Sequence, residues 1–147
     1  MYLKRYRYNA NENFSVYTFT SEGPKGKIRK VIKFVHMVGN LYNLAFGDID
    51  ESTGQTMDTV VTNNNDSLKV LSTIAACVHD FTVKYPNALI FMKGSTHSRT
   101  RLYRRAITTN WSLINDDYVV YGQMEDGWEE FVFGEDYVAF LIHRNNL

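Results

Sequence analysis

One segment limits the fold more than any other. From about Ser67 to Tyr85 the chain carries two apolar lines at helical spacing. Leu68, Leu71, Ala75, Val78 and Thr82 form the first line, and Val70, Ile74, Cys77 and Phe81 the second. A stripe this wide predicts a helix pressed onto a sheet rather than one lying on the surface. Asn63-Asn64-Asn65-Asp66 supplies residues able to cap its start, and Pro86 ends it. A short apolar run, Ala88 to Met92, reads as a buried strand. Lys93-Gly94-Ser95-Thr96 then opens a second helix running to about Trp111.

Strand patterns flank this helix–strand–helix unit on both sides. Upstream, Phe14–Thr20, Ile28–Val38 and Leu41–Phe46 alternate or run apolar between turn clusters, Ser21 to Gly26 and Gly39-Asn40. Short turns join antiparallel neighbours, so these three predict an antiparallel meander. Within the second strand, Ile28, Lys30, Ile32, Phe34 and His36 share a face, opposite Val31, Lys33, Val35 and Met37. Gly47 to Thr56 reads as a polar loop or hairpin tip, and Met57–Thr62 as a short fourth strand. Downstream, Tyr118–Gln123 and Trp128–Phe133 are joined by Glu125-Asp126-Gly127, a hairpin signal, and Tyr137–Arg144 follows. The expected class is α+β: a mostly antiparallel sheet packed against two helices. At 147 residues, with no repeat and no linker, residues 1–147 are expected to form one domain.

Charge narrows the function classes. Sixteen Lys and Arg balance sixteen Asp and Glu, so attraction to nucleic acid must come from local clustering. Cys77 is the single cysteine, which rules out an internal disulfide and suits a reducing compartment. The N-terminal MYLKRYRYNA lacks the apolar core of a signal peptide, and no apolar run is long enough for a membrane span. The expected setting is the cytoplasm, without membrane contact.

The strongest local cluster begins at Gly94. A strand, Gly94-Ser95-Thr96 and a helix together can hold an anion at the helix N-terminus, where N–H groups lack intrahelical partners. Arg99, Arg101, Arg104 and Arg105 follow, with His97 before them. His97, Arg101, Arg104 and Arg105 fall on one side of the wheel, opposite Leu102, Tyr103, Ala106, Ile107 and Asn110. Arg99 projects from the apolar side. Three roles are open to it: snorkelling from the core edge, pairing with a buried carboxylate, or gripping an anion. The ligand-binding set is therefore Gly94, Ser95, Thr96, Arg99, Arg101, Arg104 and Arg105, and no Walker A pattern accompanies it.

Other clusters are weaker. Lys25, Lys27, Arg29, Lys30 and Lys33, with Arg5, Arg7 and nearby tyrosines, read as a solvated hairpin edge or as a nucleic-acid strand contact. Asp48, Asp50 and Asp58 fit no EF-hand and read as a polar loop rather than a metal site. His36, His79, His97 and His143 are dispersed, without zinc spacing, so no metal and no cofactor is implied.

Several blocks carry a resemblance. Gly23-Pro24-Lys25-Gly26, the run Tyr42 to Asp48, Gly94-Ser95-Thr96 with Arg99 to Tyr103, and Phe140-Leu141-Ile142 together resemble a family of short bacterial proteins known only as a domain of unknown function. That resemblance spans nearly the whole chain and implies one domain in a bacterial cytoplasm, without an activity. The helix carrying Arg101 to Ala106 is also similar to the C-terminal half of acetyl-CoA-dependent acetyltransferases, although their pyrophosphate loop is missing.

Three functions follow as expectations. The first is a module binding a phosphate-bearing ligand, nucleic acid or a nucleotide. The second is a small enzyme: a toxin-type nuclease with His97 as base, or an acetyltransferase relative. The third is a protein-interaction partner in a complex.

Overall fold

The computed structural model describes residues 4–57 and 63–145. Strands β1 (Asn9–Ala10), β2 (Val16–Gly23), β3 (Gly26–Val38), β4 (Leu41–Ile49) and β5 (Thr56–Met57) precede helix α1 (Ser67–Lys84). Strand β6 (Leu89–Met92) leads into α2 (His97–Thr109) and the one-turn α3 (Trp111–Ile114). Strands β7 (Tyr118–Met124), β8 (Gly127–Glu130) and β9 (Ala139–Arg144) complete the chain.

Among the described residues all nine strands join one sheet, in the order β1-β2-β3-β4-β6-β9-β7-β8, with β5 paired to β4. The meander of β2, β3 and β4 is antiparallel, as the short turns require. One pair, β4 with β6, is parallel, because α1 carries the chain back across the sheet between them. The class is therefore α+β. The last strand does not lie at the edge: β9 inserts between β6 and β7, antiparallel to both.

Several boundaries differ from the sequence reading, each for a physical reason. Gly47, Asp48 and Ile49 continue β4, because Lys30 and Val31 on β3 pair with Asp48 and Gly47, so the hairpin tip narrows to 50–55 between β4 and β5. Of the expected fourth strand only Met57 is described, in β5, which begins one residue earlier at Thr56; the remainder, 58–62, lies outside the described residues, as does Asp58. Helix α2 stops at Thr109, since the buried Asn110 side chain bonds the Ala106 carbonyl at 2.7 Å and starts α3. Leu68, placed on the buried line of α1, is exposed, while Ser72 and Thr73 are buried beside Val70 and Leu71.

Both long helices cover one face of the sheet. Phe34 of β3 stacks on Phe81 of α1 with ring centroids 4.1 Å apart. The core cluster continues through Phe46, Ile90, Val120, Phe140 and Ile142 to Tyr103 and Ile107 of α2. Its aromatic pairs explain why a chain rich in Tyr and Phe favours this sheet. Among the described residues, no helix is long and apolar enough to cross a membrane.

Candidate functional site

The entry into α2 is built from tight local contacts. The Gly94 N–H donates to Thr100 Oγ1 at 3.0 Å, folding the turn back onto the helix. A side chain at 94 is excluded, because a Cβ there would sit 2.4 Å from the Thr100 nitrogen and 2.5 Å from Arg99 Cβ. Thr96 is the N-cap in extended conformation, and its Oγ1 accepts from the Arg99 N–H at 3.1 Å. This turn aims the Arg99 side chain inward.

Arg99 is 5% exposed, so it does not snorkel. Its Nη1 donates to the backbone carbonyl of Phe46. Phe46 lies between two ladders on the same strand: β4 pairs with β6 through Leu41–Asn43 and with β5 through Asp48 and Ile49. The guanidinium thus fastens α2 to the middle of β4. Its Cζ is 5.7 Å from the Phe46 ring centroid, and Lys30 Nζ is 5.9 Å from the same centroid. Two cations therefore flank one aromatic ring, which favours them electrostatically.

Lys30 is fully buried and lies directly opposite Asp48 in the β3–β4 ladder. Lys30 Nζ meets Asp48 Oδ1 at 2.6 Å, with both side chains removed from water. Burial of an ion pair is tolerated only with good geometry and further hydrogen bonds.

Above this charged floor is a cleft of about 490 Å³. Its walls include Asp66, Ser67, Thr96, Arg99, Leu102 and Arg105, with Lys30 beneath. The starts of α1 and α2 both open onto it, and neither helix has an acidic residue in its first turn. Asp66 precedes α1 but does not cap it with its side chain. Instead its Oδ2 accepts from the Tyr6 and Ser21 hydroxyls, both at 2.5 Å. Burial first, and then this bond to Asp66, raise the Tyr6 phenol above its ordinary value, so it stays a donor. Arg105 reaches across the cleft, its Nη2 lying 3.4 Å from Ser67 Oγ. Lys30, Arg99 and Arg105 set three positive charges against the two of Asp48 and Asp66. Two helix N-termini add partial positive charge.

The residues picked from sequence separate into two groups. Thr96, Arg99 and Arg105 line the cleft. Gly94 shapes the turn behind it, and Ser95 and Arg101 are exposed away from it. Arg104 turns towards Asp136, with 3.6 Å between charged atoms, and His97 is exposed outside the lining. Sequence reasoning missed Lys30, Asp48, Asp66 and Ser67. For Lys30 a signal existed: it alternates in phase with Ile28, Ile32 and Phe34, the core face. Asp48 could be found only from the strand register.

Asp50 closes its own turn, accepting from the Ser52 N–H at 2.9 Å and the Ser52 hydroxyl at 2.8 Å. Among the described residues, no group of three or more His, Cys, Asp or Glu is placed to hold a metal ion. A second cleft, about 460 Å³, lies between α1, α3 and β7 beside Arg5, His79 and Asp117. Tyr118 borders it, with its hydroxyl 2.7 Å from Thr82 Oγ1 and 3.3 Å from His79 Nδ1.

No curated protein and no solved structure matches the chain. A family model described as a family of unknown function, DUF6934, matches residues 2–145. With nearly its whole length matched, the chain belongs to the DUF6934 family.

Proposed function

We propose that this protein binds a small phosphate-bearing molecule, a nucleotide by preference, in the cleft between the starts of α1 and α2. The observation that carries the reading is the convergence of two helix N-termini on a cleft floored by buried Lys30 and Arg99. Helix starts favour anions; neither first turn carries a carboxylate, and the α1 N-cap Asp66 is engaged by the Tyr6 and Ser21 hydroxyls. Arg105 is the arm able to meet a phosphate with its planar fork, while Thr96 and Ser67 offer hydroxyls. The cleft volume falls in the range of small-molecule sites, about 300–1,000 Å³.

A polynucleotide fits less well. It would need a basic track, whereas Arg104 faces Asp136, Arg101 points elsewhere and the net charge is zero. The nuclease reading gains no support from the cleft, since His97 does not line it. A reducing bacterial cytoplasm remains the proposed setting. The buried free thiol of Cys77 suits the reducing part of that proposal, and the family resemblance supplies the bacterial part.

Thermal denaturation with inorganic phosphate, nucleoside monophosphates and a short single-stranded oligonucleotide tests this reading. Binding raises the melting temperature with ligand concentration. The expected order is nucleotide above phosphate, with the oligonucleotide weakest. An unchanged melting temperature with every phosphorylated probe would overturn it.

A further inference from the structure

The face of the sheet turned away from the helices carries an unbroken row of paired residues. Val35, Asn43, Phe91, Leu141, Tyr121 and Glu130 pair successively across β3, β4, β6, β9, β7 and β8. Trp128 stands one row along, with its ring 6.2 Å from that of Phe91. Val35 is 48% exposed and Trp128 43%, while the residues between them are half-buried or exposed. Large apolar side chains grouped on one solvent-facing sheet are a mark of association.

Charge on this face is divided between its two sides. Arg29 and Lys33 project from β3 on this face, and Lys25 lies in the adjoining β2–β3 turn. Glu130 projects from β8, with Glu125 and Asp126 in the β7–β8 turn. The pairing directions make β2 and β7 run the same way, so both turns lie at the same end of the sheet, on opposite flanks. A twofold axis parallel to the strands exchanges the two flanks and keeps that end in common. With β3 of one copy over β8 of the other, it brings Arg29 and Lys33 to within about two residues, or ~7 Å along the strands, of the β7–β8 turn and Glu130, and buries the apolar row between them.

We infer that two copies of this chain associate face to face through this side of the sheet. The six strands from β3 to β8 that then overlap, at about 4.8 Å spacing and about six residues each, offer roughly 570 Å² per partner, the size of a weak association. The self-complementary charge pattern favours a second copy over an unrelated partner. Both clefts stay open, because they lie on the helical side.

Sedimentation velocity on the full chain at low salt tests the inference. The wild type is expected to sediment as a dimer that added salt weakens. Tyr121→Lys, within the row, is expected to sediment as a monomer that circular dichroism shows to be folded. Reversing one flank, Arg29→Glu with Lys33→Glu, is expected to weaken association about tenfold or more. Adding Glu125→Lys and Glu130→Lys to that variant is expected to restore it. These surface reversals keep the test valid even where Tyr121→Lys fails to fold. A monomeric wild type, or reversal of the second flank without recovery, would overturn the inference.

Discussion

Replacing Lys30 by Met removes a charge that the fold has sealed from water. Met keeps most of the chain length, so packing beside Phe46 is largely retained and the loss is electrostatic. Lys30 has no exposed surface, and its Nζ lies 2.6 Å from a carboxylate only 3% exposed. Removing one partner of such a buried pair costs about 3–5 kcal/mol. For a chain of this length each kcal/mol moves the melting temperature by about 2–4 °C. The expected drop is therefore about 10 °C, read by circular dichroism or calorimetry. Lys33→Met is the control. Its side chain lies on the opposite face of the same strand and is half-buried, so its change should stay within about 0.5 kcal/mol. A second control is Lys30→Met with Asp48→Leu, which takes both charges out and should recover part of the loss. If Lys30→Met costs no more than Lys33→Met, then Lys30 is a solvated hairpin lysine and the charged floor does not exist.

Two further outcomes follow from the same geometry. Gly94→Ala forces a methyl against the backbone of α2 and should cost about 1–3 kcal/mol in urea denaturation; a change within about 0.5 kcal/mol would show that the turn yields freely. Alkaline stability should also fall. Burial raises the phenols of Tyr6, Tyr8, Tyr17, Tyr118 and Tyr137 above the ordinary tyrosine value. The folded chain then holds those protons longer than the unfolded chain. Stability from this source is complete below about pH 10 and is lost as pH rises above it. A melting temperature that stays level across that range would contradict the burial of these rings.

The elements were legible because their signals are local. The double stripe before Pro86 defines α1 to within a residue of its end, and the alternation from Ile28 marks β3. Arg99 also stood out locally, as a cation on the apolar side of its wheel, and it is indeed buried. Its partner was not legible. The Phe46 carbonyl lies 53 residues away and is chosen by where β5 and β6 end along β4. Lys30 shares a strand face with Ile28, Ile32 and Phe34 yet reads with its basic neighbours, since five close lysines and arginines resemble a solvated edge. Only the β3–β4 register brings Asp48 opposite and makes burial tolerable. The order β6-β9-β7 was equally hidden, because nothing in the local pattern of β9 tells it to enter the middle of the sheet.

The cleft, and not the outer arginines, is the proposed seat of the phosphate. Titration calorimetry with a nucleoside monophosphate on the wild type, Arg105→Ala and Arg101→Ala tests it directly. The expected result is binding that Arg105→Ala weakens about tenfold or more, the loss of a charged hydrogen bond, and that Arg101→Ala leaves unchanged. Equal losses in both variants, or an affinity indifferent to Arg105, would contradict it.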